Sequence, residues 1–97
     1  MGHILDNDSV KLMIKAIMTL ETEEECRAFL EDLMTTKEIL DISQRVVVAK
    51  MLSEQAVYNK IADETGASTA TISRVNRSYS YGTGGYKTVL SRLEKKD

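Results

Sequence analysis

Apolar residues recur at helical spacing along nearly the whole chain. Val10, Met13, Ile14, Ile17 and Met18 form an i, i+3, i+4 stripe, and Asp8 stands where it can cap a first helix. Thr22 and Glu25 have capping-box spacing and open a second helix with a face of Cys26, Phe29, Leu30, Leu33 and Met34. Thr35 or Thr36, with Glu38 close behind, opens a third that runs to about Ser53. Within it Val46, Val47, Val48 and Ala49 are consecutive, so apolar groups surround most of this helix and predict burial on several sides. A short strand is the other reading of that run, but Gln44, Arg45, Lys50, Met51 and Leu52 continue the helical pattern. Two helices within and just beyond residues 58–77, the second ending near Tyr79, are followed by a YGTGGY loop. A last helix then carries Tyr86, Val89, Leu90 and Leu93. The pattern predicts an all-α fold of six helices, a single domain over residues 1–97.

The segment YNKIADETGASTATISRVNR, residues 58–77, has the steric pattern of a helix-turn-helix. Counted from Tyr58, the motif wants a small residue fifth, Gly ninth, and aliphatic residues fourth, fifteenth and eighteenth. Ala62, Gly66, Ile61, Ile72 and Val75 fill those places. Ala62 lies where the two helices cross, and a larger side chain would force their backbones apart. Gly66 ends the first helix at a position where positive φ is cheap only without a Cβ. Ile72 and Val75 share one face and pack back onto Ile61, while Ser68 caps the second helix. Ala70, Thr71, Ser73, Arg74 and Arg77 are left pointing outward.

That outward set has the chemistry of a reading surface for double-stranded DNA. Small hydroxyl and methyl groups near a helix N-terminus, here Ser68, Thr69, Ala70, Thr71 and Ser73, let the backbone sit deep in a major groove and touch base edges. Arg74 and Arg77 can reach guanine or phosphate, and Lys87, just past the glycine loop, a phosphate. A helical hairpin that only packs or binds protein is the bland alternative. Charge favours DNA: residues 1–67 hold 7 Lys/Arg and 13 Asp/Glu, net −6, whereas residues 68–97 hold 6 and 2, net +4.

Other chemistries find little support. His3 and Cys26 are the chain's single His and single Cys, so neither metal-ligand spacing nor a nucleophile and base pair is present; the expectation is no enzyme, no metal and no cofactor. The acidic TEEEC run reads as the first turn of a helix. The glycines of 82–85 read as a loop after the reading helix, with Gly82 in a capping position and Tyr79, Tyr81 and Tyr86 pinning the loop to the core. No membrane-spanning run or secretory signal is present, which predicts a soluble, cytoplasmic protein with no membrane partner. Four amphipathic helices outside the motif are more than a compact monomer of this size covers, and a homodimer would cover them.

TTKEILDISQRVVVAKML from Thr35, followed by GASTATISRVNR and YGTGGY, resembles the Trp repressor superfamily, with the YerC/YecD branch nearest. The resemblance covers most of the chain. It implies an intertwined homodimer whose N- and C-terminal helices interlock and leave the helix-turn-helix units exposed, acting as a transcription regulator on palindromic sites. It also implies a place for an amino-acid effector, since Arg45 and Arg74 match the two arginines that hold the corepressor in Trp repressor. The residue after the second arginine is Gly there and Val75 here, which closes the space for an indole ring. A surface ion pair of Arg45 with Asp41 or Glu38 is the alternative role for that residue. A replication-associated binder or a protein-interaction module are the competing functions, and the phosphate-binding loop of an ATPase is absent.

Overall fold

The computed structural model describes residues 2–96. The described residues are helical apart from short links, and the chain divides into two compact units, Met1–Thr36 and Lys37–Asp97. The six expected helices are joined by a single extra turn at the front, giving α1 (Gly2–Leu5), α2 (Asp8–Met18), α3 (Glu23–Leu33), α4 (Thr36–Ser53), α5 (Tyr58–Thr65), α6 (Thr69–Tyr81) and α7 (Gly85–Lys96).

In the first unit, the cap of α2 is Asn7 and not Asp8. The Asn7 side-chain oxygen accepts the Ser9 amide at 2.8 Å, and Asn7 has the extended backbone of a cap. Both residue types can cap; once Asn7 does so, Asp8 becomes the first helical residue, where its carboxylate favours the positive end of the dipole. Thr22 caps α3 as expected, accepting the Glu25 amide at 3.1 Å. The return bond of the box is displaced by one residue: Glu25 accepts from the Glu21 amide at 2.9 Å. Every residue of α2 and α3 is exposed or half-buried. The apolar stripe of α2 therefore stays largely open in one chain, with Met18 77% exposed and Ile17 45%.

The buried core lies in the second unit. Val48 and Ala49 of α4, Ile61 of α5, Ala67 of the turn, Ile72 and Val75 of α6 and Leu90 of α7 form one cluster. Met51, Leu52, Ala56, Tyr58, Ala62, Tyr79 and Tyr86 pack around it. Ile61, Ile72 and Val48 are fully enclosed, each worth about 1.5–3 kcal/mol in transfer from water. The expectation that α4 is buried on several sides needs correction for the single chain. Val48 and Ala49 turn inward, but Val46 and Val47 are exposed, Val47 by 47%. An apolar circumference fixes that a helix resists water, not which chain covers each side.

Two helices of this unit end in the left-handed region by different means. Gly66 has φ +74 and donates its amide to the Ala62 carbonyl at 2.9 Å, as the motif required. At the end of α4 the same role falls to Gln55, at φ +65, with the Gln55 amide on the Leu52 carbonyl and the Ala56 amide on that of Met51. Gly82, which ends α6 two residues later than its pattern predicted, is different. Its φ of −83 is open to any residue, but an added Cβ would run into the Ser78 carbonyl oxygen. Among the described residues, no helix is long and apolar enough to cross a membrane.

The two left-handed caps generate opposite expectations. Gly66→Ala meets no neighbouring atom, so its cost is backbone strain alone, about 1–2 kcal/mol, whereas Gln55→Gly relieves the same strain and stabilises. Thermal unfolding of both variants checks this, and a shift in the same direction for both would contradict it.

Candidate nucleic-acid interface

α6 is set in place by a short chain of polar contacts around its aliphatic face. Ser68 caps it, accepting the Thr71 amide at 3.1 Å and donating its own proton to Thr71 Oγ1 at 3.1 Å. The turn is stiffened by Thr65, whose hydroxyl donates to the Ile61 carbonyl at 2.7 Å and accepts the Ala67 amide at 3.1 Å. From α4, Gln44 Nε2 reaches the Thr65 carbonyl at 3.1 Å and ties the long helix to the turn. Across the helix pair, Asn76 Nδ2 donates to the Tyr58 hydroxyl at 3.2 Å while Asn76 Oδ1 accepts from Ser80 at 3.2 Å.

With Ile72 and Val75 buried, a rotation of about 100° per residue carries Ala70, Ser73, Arg74 and Arg77 to the opposite side of α6. All four are exposed, as are Ser68 and Thr69 in the approach to it. Thr71 is the exception among the residues expected to face outward. It is half-buried and its hydroxyl is already engaged by Ser68. No carboxylate occurs in the sequence of α6, so nothing on the helix itself opposes an anionic partner.

Lys87 stands elsewhere. Its ammonium lies 5.5 Å from the centre of the Tyr79 ring, and Tyr79 packs against the core on the side of α6 away from the exposed stripe. Lys87 and Tyr79 line a cavity of about 380 Å³ together with Lys50, Glu54, Leu90 and Glu94. Arg45 and Arg74, the residues of the suggested effector pocket, are both exposed, and neither lines that cavity. Of the two alternative partners for Arg45, Asp41 is paired with Lys37 at 2.9 Å. That hydrogen bond, followed by the charge of Asp41, raises the Lys37 pKa above its ordinary value.

Val75 is 3% exposed and belongs to the core cluster, so its side chain fills space between the helices where a smaller residue would leave room. Gln44 and Asn76 were not singled out by sequence pattern. Gln44 lies one turn before Val48, on the buried side of α4, and a polar residue there is the signal that would have found it. The reading of Tyr79, Tyr81 and Tyr86 as pins also divides. Tyr79 and Tyr86 pack on the core, but Tyr81 is 87% exposed.

The family described as Trp repressor protein matches residues 8–94, running through both compact units. The uncharacterized protein YerC of Bacillus subtilis (strain 168) is 47% identical over 83 residues, 86% of this chain and 80% of that protein. The crystal structure of a TrpR-like protein from Eubacterium eligens ATCC 27750 is 50% identical, covers 95% of each chain and superposes with a TM-score of 0.90. That of a putative Trp repressor from Staphylococcus aureus is 44% identical, covers 95% of this chain and 92% of its own, and gives a TM-score of 0.89. Likeness at this level over this length includes the fold, and the all-α six-helix expectation agrees with it.

Burial of Val75 gives a direct expectation for tryptophan. An indole ring placed beside Arg74 would have to displace a packed aliphatic group, and overpacking costs about 1–3 kcal/mol even where a site relaxes. Calorimetric titration with tryptophan should give no heat of binding. One-to-one binding in the micromolar range would show that Val75 yields.

Proposed function

Because the chain belongs to the Trp repressor family, we propose that it is a sequence-specific transcription regulator that binds palindromic double-stranded DNA as a homodimer and represses without a tryptophan corepressor. The observation that carries this reading is the exposed, carboxylate-free stripe of Ala70, Ser73, Arg74 and Arg77 on a helix whose other side is locked into the core. A helix held this way presents its polar face without having to reorganise on binding. Ser68, Thr69 and Ala70 at its N-terminal end let the backbone approach base edges and phosphates, and the two arginines supply guanine or phosphate contacts.

The homodimer is supported by the apolar surface that one chain leaves uncovered. Met18 and Leu12 of α2 and Leu40, Val46 and Val47 of α4 are all exposed, and each would be desolvated by a second copy. A two-fold dimer also sets two copies of α6 about one DNA turn apart, roughly 34 Å, which suits a palindromic site. Retarded migration of a labelled fragment selected from a random DNA pool, surviving excess random competitor, tests the reading. Displacement by random competitor would leave only unspecific binding.

Specificity and assembly can be separated by substitution. Ser73→Ala or Arg74→Ala should cost about 1–3 kcal/mol on the selected fragment and less on random DNA, since base-edge contacts distinguish sequences and phosphate contacts do not. Equal losses on both would assign these residues to positioning. For assembly, the thermal midpoint should rise with protein concentration. Val48→Asp, at a fully enclosed position, should abolish folding, because an unpaired buried carboxylate costs several kcal/mol out of a total of about 5–15. Val47→Asp should instead leave a folded monomer by sedimentation, since that side chain is open to water in one chain.

A further inference from the structure

Tyr81 is the most exposed large apolar side chain in the chain's described residues, at 87%, and it occupies a particular place. It is the last residue of α6, one turn beyond Arg77 and eleven residues beyond Ala70. Helical rotation brings it back onto the stripe of Ala70, Arg74 and Arg77 and away from the buried face of Ile72, Val75 and Tyr79. The helix end is fixed beneath it by the Gly82 amide on the Ser78 carbonyl at 2.9 Å. Among the described residues the Tyr81 hydroxyl has no hydrogen-bond partner, in contrast to that of Tyr58, which accepts from Asn76.

We infer that Tyr81 is a further DNA-contacting residue, which lays its ring against a deoxyribose and donates its hydroxyl to a phosphate oxygen of the backbone bordering the groove. The inference rests on the reading of α6 as the DNA-reading helix. Its geometry selects the backbone over the bases. At 1.5 Å per residue, Tyr81 lies about 16 Å along the axis from Ala70, more than either the roughly 8.5 Å depth or the roughly 12 Å width of the major groove. A helix entering by its N-terminal end therefore carries its last residue to the groove's edge, where sugar and phosphate are the available partners. Tyrosine suits that place, since its hydroxyl is a phosphate donor and its ring offers a flat apolar face to the sugar. Arg77, one turn earlier and on the same side, supplies the positive charge that favours the approach of a phosphate rather than an apolar partner.

The test compares wild type, Tyr81→Ala, Tyr81→Phe and Tyr81→Trp on two labelled duplexes, one of random sequence and one selected by the wild-type protein from a random pool. Tyr81→Ala is expected to weaken both duplexes by the same factor, roughly tenfold, as a positioning contact does. Tyr81→Phe should fall between Tyr81→Ala and wild type, and melting and sedimentation should match wild type in all three variants. The chain contains no Trp, so Tyr81→Trp gives a single indole emission, which either duplex should quench. Full affinity in Tyr81→Ala, a loss confined to the selected duplex, or a loss accompanied by a smaller sedimenting species would each overturn the inference. The last of these would place Tyr81 against a second copy of the chain. Failure of the wild-type protein to bind either duplex would overturn the reading of α6 as well, so the two failures are distinguishable.

Discussion

The contact between Ile61 of α5 and Ile72 and Val75 of α6 sets the orientation of everything that follows in the chain. These three aliphatic side chains are buried together with Val48 and Ala49 of α4 and Leu90 of α7. They can meet only if α5 and α6 approach closely, which Ala62 permits, and only if the chain reverses sharply between them, which Gly66 at φ +74 permits. Once Ile72 and Val75 face inward, α6 has no rotational freedom left. The positions of Ala70, Ser73, Arg74 and Arg77 are thus fixed by residues that never touch the surface. A hydrophobic contact in this way determines an electrostatic surface.

Apolar packing alone does not fix the angle between two helices, and directional bonds complete the arrangement. Gln44 holds the Thr65 carbonyl, Thr65 in turn serves the Ala67 amide, and Asn76 joins Tyr58 to Ser80. All but the exposed Ser80–Asn76 bond are partly withdrawn from solvent, where a lost partner costs about 1–3 kcal/mol, so these bonds resist sliding and rotation of α6 more than they add to stability. The ion pairs differ in kind. Those of Lys37 with Asp41 and of Lys50 with Glu54 are exposed pairs four residues apart along the chain and contribute little to the fold.

Local rules made much of this legible in the amino-acid sequence. The helix-turn-helix could be read because its requirements are steric and short-ranged: a small residue, a glycine and three aliphatic positions within eighteen residues. Thr22 and Ser68 were readable for the same reason, since a cap acts on amides two or three residues away. Asp8 was misplaced by one residue because Asn7 can do the same work, and only the backbone conformation decides between them. Tyr81 escaped the pattern because α6 runs two residues past its expected end near Tyr79, which carries Tyr81 onto the exposed stripe. The place of Lys87 beside Tyr79 depends instead on how the glycine loop redirects the chain into α7, and Gly84, at φ +92, leaves the backbone several routes.

The run of Val46, Val47, Val48 and Ala49 shows where a pattern stops informing. It registers that most of the circumference of α4 is apolar, yet in one chain only Val48 and Ala49 are enclosed. Hydrophobicity is the same signal whether the covering group belongs to the same chain or to another. On the proposed reading the division has a function: Val48 and Ala49 belong to the unit that orients α6, while Val46 and Val47 belong to the surface that sets two such units at a fixed spacing. Val75 joins the same economy of roles. Its buried side chain completes the packing that orients α6, and on the proposed reading it also fills the volume an indole would need, so the reading helix would be held ready by its own core rather than by a bound ligand.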